Sequence, residues 1–275
     1  MGQNSKIEWT THTFNPWWGC LKVSEACKHC YAEAWAKRVG QQVWGQSAPR
    51  RFFGDPHWSQ PLRWDRFAAE SGTRPRVFCA SMADVFEDRD DLIPHRARLM
   101  RLIEATPNLD WLLLTKRPSN VVRLASWTDG WPPNVWLGTT VELQKRADEL
   151  MPVLAEIPAA VRFISAEPLL GPLDLTPWLG DSINWVITGG ESGPKARPAS
   201  PAWFRSLHRQ CMAAEVPFHF KQWGDWAPGD GLNLPKRQKA PAQDGTEMIR
   251  IGKRAAGRIL DGREWNGLPR TPALA

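Results

Sequence analysis

From residue 76 onward the chain alternates short apolar runs with longer stretches whose apolar positions recur at helical spacing. The runs 76–81, 110–115, 134–139, 160–165, 183–188 and 216–221 are β-branched or aromatic and of strand length, so each predicts a β-strand. Between them Leu92, Leu99 and Ile103 share one helical face; so do Leu143, Ala147, Leu150 and Leu154, and again Phe204, Leu207 and Cys211. Strand and helix in alternation, each apolar on its inner side, build a parallel sheet covered by helices. With the apolar segment 7–14 added, the pattern predicts an α/β chain folded as a partial or full parallel (β/α) barrel of about six to seven strands. An open, doubly wound sheet fits the same alternation nearly as well.

Before residue 76 the rhythm is weaker. Residues 31–39 are rich in helix formers. From 40 to 75 Gly, Pro, Arg and Trp are scattered without a period, which predicts an irregular surface insertion with a short helix near 62–70. The expected organisation is a barrel over 1–224, this insertion included, followed by a basic C-terminal extension over 225–275.

Each apolar run ends in a polar or glycine-bearing cluster. These are Ser81-Met-Ala-Asp84, Thr115-Lys116-Arg117, Thr139-Thr140-Val-Glu142, Ser165-Ala-Glu167, Gly189-Gly190-Glu191-Ser192-Gly193 and Lys221-Gln222-Trp223. Capping of the next helix explains one or two such endings. Six endings predict a lined pocket, because parallel α/β folds bind ligands at the carboxyl ends of their strands. Gly189 and Gly190 allow close backbone approach to a ligand, and a tight turn is the plainer alternative. The string is neither a Walker loop nor GxGxxG, so nucleotide triphosphate or NAD binding is not supported.

Three of the five cysteines fall in one loop, Cys20, Cys27 and Cys30, separated by six and two residues. A structural zinc needs a fourth ligand, for which His29 and His12 are the nearest candidates. Three thiolates without a fourth suit an iron–sulfur cluster with one open iron. Cys79, inside an apolar run near the expected mouth, is a candidate hydrogen-atom donor; Cys211 reads as a core residue.

Composition changes the picture little. With 42% hydrophobic and 23% charged residues the chain can bury a full core. No run is long enough to span a bilayer and the start lacks a signal-peptide core, so the expected location is cytoplasmic, with no membrane partner. An odd cysteine count there argues for metal or chemistry over disulfides. The net charge of +6 favours a polyanion such as nucleic acid. Seventeen tryptophans stand beside one tyrosine; indoles can stack on bases, although packing is their commoner use.

With Cys20, Cys27, Cys30 and Tyr31 in place, the chain resembles a radical S-adenosylmethionine (SAM) protein. The closer resemblance is to a phage- and bacterium-associated family with a three-cysteine motif. It is carried by Asn15-Pro-Trp-Trp-Gly-Cys20, Ser81-Met-Ala-Asp84, Leu114-Thr-Lys-Arg-Pro118, Ser165-Ala-Glu-Pro-Leu-Leu-Gly-Pro172, Gly189-Gly-Glu-Ser-Gly193 and Phe220-Lys-Gln-Trp-Gly224, which span nearly the whole chain. The superfamily resemblance implies a [4Fe–4S] cluster on Cys20, Cys27 and Cys30, with the open iron chelated by SAM. Reduction then cleaves the sulfonium to a 5′-deoxyadenosyl radical. The first cysteine gap, six residues, departs from the superfamily's commonest spacing of three. His29 takes the place of the usual adenine-touching aromatic residue.

By strand order, the resemblance makes Ser81 and Asp84 candidates for the methionyl amine, in place of the familiar Gly-Gly-Glu. Thr139 and Glu142 become candidates for the ribose, and Ser165 and Glu167 for methionine or substrate; Tyr31, Gly189, Gly190 and Glu191 complete the cofactor set. Lys116, Arg117 and Lys221 would face substrate phosphate, with Trp17, Trp18 and Trp223 at the rim. The reading is an enzyme modifying or repairing a nucleic acid or nucleotide, reduced by a flavodoxin- or ferredoxin-like partner. The alternatives are a zinc-stabilised nucleic-acid-binding protein and an electron-transfer protein whose cluster has four protein ligands.

Overall fold

In the computed structural model, residues 2–127, 130–229 and 237–270 are described. The chain opens with β1 (His12–Thr13), β2 (Trp17–Trp18), α1 (Tyr31–Arg38), β3 (Arg51–Phe52), α2 (Asp55–Trp58) and α3 (Gln60–Ser71). The regular alternation follows: β4 (Arg76–Cys79), α4 (Ile93–Glu104), β5 (Asp110–Thr115), α5 (Val121–Leu124), β6 (Val135–Thr140), α6 (Gln144–Ala155) and β7 (Val161–Ala166). It continues through β8 (Trp185–Gly189), α7 (Pro201–Ala213) and β9 (Phe218–Gln222). The chain finishes with β10 (Trp226–Pro228), β11 (Lys239–Pro241), β12 (Glu247–Arg250) and α8 (Lys253–Ala256).

Seven strands pair in the order β1-β4-β5-β6-β7-β8-β9, every neighbour parallel. Sheet order follows chain order, and β1 and β9 do not pair, so the sheet is a half-barrel. Six of its strands match the apolar runs to within two residues. Segment 7–14 contributes only His12 and Thr13 to the ladder, against Val77 and Phe78.

Strand alternation sorts the core into two layers. On the helix side lie Val77, Cys79, Trp111, Leu113, Val135, Leu137, Ile164 and Val186, packed with the inner faces of α4, α6 and α7. On the helix-free side lie Trp9, Phe78, Leu112, Trp136, Phe163, Trp185 and Ile187, with Ile7 and Leu114 against them. This aromatic layer lines the trough of the half-barrel, and a pocket lies toward the carboxyl ends of the strands.

The insertion is more ordered than its sequence suggests. β2 and β3 pair antiparallel, with Trp17 opposite Phe52 and Trp18 opposite Arg51. The helix read near 62–70 runs from Gln60 to Ser71 and stops at Gly72, whose φ of 62° ends the helix left-handed. Beyond β9, β10, β12 and β11 form a small antiparallel sheet. The chain then returns along β9: Phe220 N–H donates to Trp265 O at 3.0 Å and Gly267 N–H to Phe218 O at 2.9 Å, which covers that edge.

Candidate functional site

The cysteine loop lies over the carboxyl ends of the strands. Gly19 N–H donates to Met82 O at 3.0 Å. With φ of 117° and its Cα against the Val43 carbonyl and the Arg50 side chain, residue 19 must be glycine. Arg50 is buried; it donates to the carbonyls of Val43, Gly45 and Ala48 and pairs with Glu87 at 2.6 Å, which fixes the start of the insertion beneath the loop. Between loop and strand ends is a pocket of about 1160 Å³, its open mouth included. It is lined by Cys20, Cys27, His29, Cys30 and Tyr31 on one side, and by Ser81, Asp84, Lys116, Arg117, Thr140, Ser165, Glu167, Gly190, Glu191 and Lys221 on the other. Ile7, Trp9, Phe78 and Leu114 form its apolar floor.

Asp84 is saturated by its own neighbours. One carboxylate oxygen accepts from Phe86 N–H (3.0 Å) and the Thr115 hydroxyl (2.7 Å), the other from Lys116 N–H (3.0 Å) and Arg117 Nη1 (2.7 Å). It therefore ties β4 to β5 and aims Arg117, whose Nη1 lies 3.8 Å from Cys20 Sγ and whose Nη2 donates to Leu21 O at 2.7 Å. Lys116 Nζ donates to Thr140 Oγ1 at 3.1 Å and has no ion pair among the described residues. Lys221, by contrast, is held by Glu167 at 2.7 Å, with Gln222 Nε2 3.1 Å from the same carboxylate. Asn15 braces the second strand end: its Oδ1 accepts from Met82 N–H at 2.7 Å and its Nδ2 donates to Ser81 Oγ at 3.1 Å. The Tyr31 hydroxyl donates to Ser81 O at 3.0 Å.

Glu191 grips the loop from the opposite wall. Arg197 donates to it from Nη2 at 2.6 Å and from Nε and backbone N–H at 2.8 Å, and also reaches Glu25 O at 3.2 Å. Burial would raise the Glu191 carboxyl, but the Arg197 and His29 hydrogen bonds hold it below the ordinary range. An ionised Glu191 fixes the tautomer of His29, whose Nδ1 lies 3.2 Å away and donates. Glu142 adds a further hold, accepting from Ala26 N–H at 3.2 Å, while its second oxygen is buried without a partner among the described residues.

Several sequence expectations are corrected by strand alternation. Cys79 shares the helix side of β4 with Val77, fully buried and outside the pocket, and burial pushes its thiol pKa up. It has no route to a substrate there. Thr139 turns the same way and donates to Thr115 O at 2.9 Å; its neighbour Thr140 faces the pocket. Glu142 lies behind the cysteine loop rather than in the pocket. Trp223 is buried against Phe204 and Phe220 and donates to Ile259 O at 2.7 Å, while Trp17 is wholly buried. Gly189 lies outside the pocket, and Gly190 is required by the Trp223 carbonyl, against which any Cβ would collide.

Arg197 was not singled out by sequence, and Asn15 and Thr140 stood inside quoted strings without a role of their own. Thr140 is one residue from a named candidate. Arg197 lies six residues past Glu191 across an aperiodic loop, so no spacing points to it.

The three cysteine thiols are free and half-buried. Burial, then the nearby Asp84 carboxylate, pushes Cys20 up to about 12, and burial raises Cys30. Any metal centre held by these thiols would have to displace their protons, and rising pH would favour it. Among the described residues no three His, Cys, Asp or Glu side chains are gathered tightly enough to close on one ion. The two candidate fourth ligands differ in where they point. His12 is stacked on Trp64 at 4.4 Å and accepts from Asn4 N–H at 3.2 Å, away from the pocket, whereas His29 lines the pocket with its Nδ1 held by Glu191 and its Nε2 uncommitted among the described residues. Three thiols facing one cavity fit a cluster that keeps an open position.

Among the described residues no helix is long and apolar enough to cross a membrane. A family model described as "Protein of unknown function (DUF5131)" matches residues 4–269. No curated protein and no solved structure matches the chain.

Proposed function

The chain belongs to the DUF5131 family, and on the geometry of its cysteine pocket we propose that it is a radical SAM enzyme. One observation carries the reading: Cys20, Cys27 and Cys30 face a single pocket at the carboxyl end of a parallel half-barrel, with His12 turned away from it and His29 held at Nδ1 by Glu191. The radical-SAM-like character of the fold is part of the same proposal. When bound, a [4Fe–4S] cluster with SAM supplies reductive cleavage of the sulfonium to a 5′-deoxyadenosyl radical.

The protein's residues hold and shield that chemistry. Arg117 places a guanidinium beside Cys20, offsetting thiolate charge. Arg197 and Glu191 fix His29 and the turn between the cysteines, and Trp9, Phe78 and Leu114 keep water from the floor. Lys116 supplies an unpaired cation for an anionic group, while Glu167 and Lys221 offer an acceptor and a donor to the substrate. A net charge of +6 supports a nucleic acid or nucleotide as that substrate. Thiols that must stay reduced favour a cytoplasmic setting and a small electron-carrier partner of flavodoxin or ferredoxin type.

Anaerobic reconstitution tests the reading. The expected protein holds iron and sulfide, and cleaves SAM when reduced; Cys27→Ala abolishes both. Stoichiometric zinc without sulfide, or cleavage that survives in Cys27→Ala, would falsify it.

A further inference from the structure

Beside the β2–β3 ladder a chain of ring contacts runs from the core to the surface near the pocket. Phe14, buried, stacks on His57 at 4.7 Å, and His57 lies 4.4 Å from Phe53. Phe53 meets Trp18 edge-on at 5.9 Å. The Arg51 guanidinium sits over both outer rings, 4.7 Å from Trp18 and 5.3 Å from Phe53. Arg51 is exposed and has no ion pair among the described residues. The guanidinium is therefore an exposed cation lodged against two rings set 73° apart, with part of its ordering cost met by the fold.

Position adds to chemistry. Trp18, Cys30 and Trp44 pack on the same small cluster of Ala32, Ala36, Val43 and Met82, and Trp44 also lines the pocket. The tip thus borders the cysteine wall. Across the ladder Phe52, 38% exposed, stacks on His95 at 3.9 Å and 6°. On neighbouring α1, Trp35 and Arg38 face solvent.

We propose that Arg51, carried on Trp18 and Phe53, is the stacking platform for an unpaired base of a single-stranded nucleic acid whose reacting nucleotide enters the adjacent pocket. This rests on the nucleic-acid half of the proposed function and narrows it. Flat faces on aromatic and guanidinium groups recognise unpaired bases, whereas a duplex has its base faces occupied. A basic plane without a carboxylate partner favours a strand with phosphates over an acidic peptide, which offers charge but no ring to stack.

The test uses full-length protein without metal and labelled strands of about 12 nucleotides, DNA and RNA, beside the matched duplex, read by fluorescence anisotropy at fixed salt. A single strand should bind about tenfold tighter than the duplex, and Arg51→Ala should lose about tenfold. Arg51→Lys, which keeps the charge and loses the plane, should lose nearly as much, and carries the test if Arg51→Ala melts early by circular dichroism. Full affinity in either variant, equal binding of the duplex, or equal binding of poly-glutamate overturns the proposal. Because no cluster is present, the outcome stands apart from that of SAM cleavage.

Discussion

At the scale of single residues, His219 shows how a position can escape its type. It points to the helix-free side of β9, 2% exposed, and neither ring nitrogen has a partner among the described residues. Burial, then the charges of Arg258, Lys221 and Arg76, pushes its pKa down to about 3 from 6.5. The unfolded chain therefore takes up a proton near pH 6.5 that the folded chain refuses until about pH 3. Its contribution to stability is full above the unfolded value and is lost as pH falls between the two, at up to about 1.4 kcal/mol per pH unit. His12 and His57 are shifted the same way by burial and add to the slope. Urea melts across the acid range should show this slope, reduced in His219→Phe; an unchanged slope would assign it to other groups. The candidate pocket was legible at this scale where chemistry is local, as in the cysteine trio. It was not legible where one residue of parity decides, as between Thr139 and Thr140.

At the scale of elements, the junction of β8 with β9 explains the double glycine. Gly190 N–H donates to Gln222 O at 2.9 Å, and the Trp223 carbonyl occupies the space a side chain would need. Gly224, at φ 85°, is pressed in return against the Glu191 carbonyl. Two strand ends thus meet backbone to backbone, which sets Glu191 at the pocket wall. The sequence permitted a ligand in that space; the fold fills it with its own chain. Gly190→Ala should cost about 1–3 kcal/mol, as overpacking does, measured by urea unfolding. A neutral result would mean the junction yields more easily than its geometry implies.

At the scale of the whole molecule, a half-barrel has two edges to manage. β1 is short, and β9 is covered by the returning chain, where Trp185 Nε1 also donates to Gly267 O at 2.8 Å. Ending the chain after residue 256 removes that cover and leaves the edge of β9 open. Light scattering and gel filtration should show association of the shortened protein at concentrations where the full chain stays monodisperse. A truncated form that remains so would mean β9 is protected by something other than residues 257–270.

Hydrophobic period alone determined that the chain alternates strands and helices, and loop spacing alone brought three cysteines together, because both depend on neighbours in the chain. The outcome of the two β9-side glycines, the burial of Trp223, the inward turn of Thr140 and the Arg197–Glu191 grip on His29 were decided by tertiary structure. Each depends on which distant backbone or side chain arrives opposite, and a one-residue step along a strand reverses the face a side chain meets.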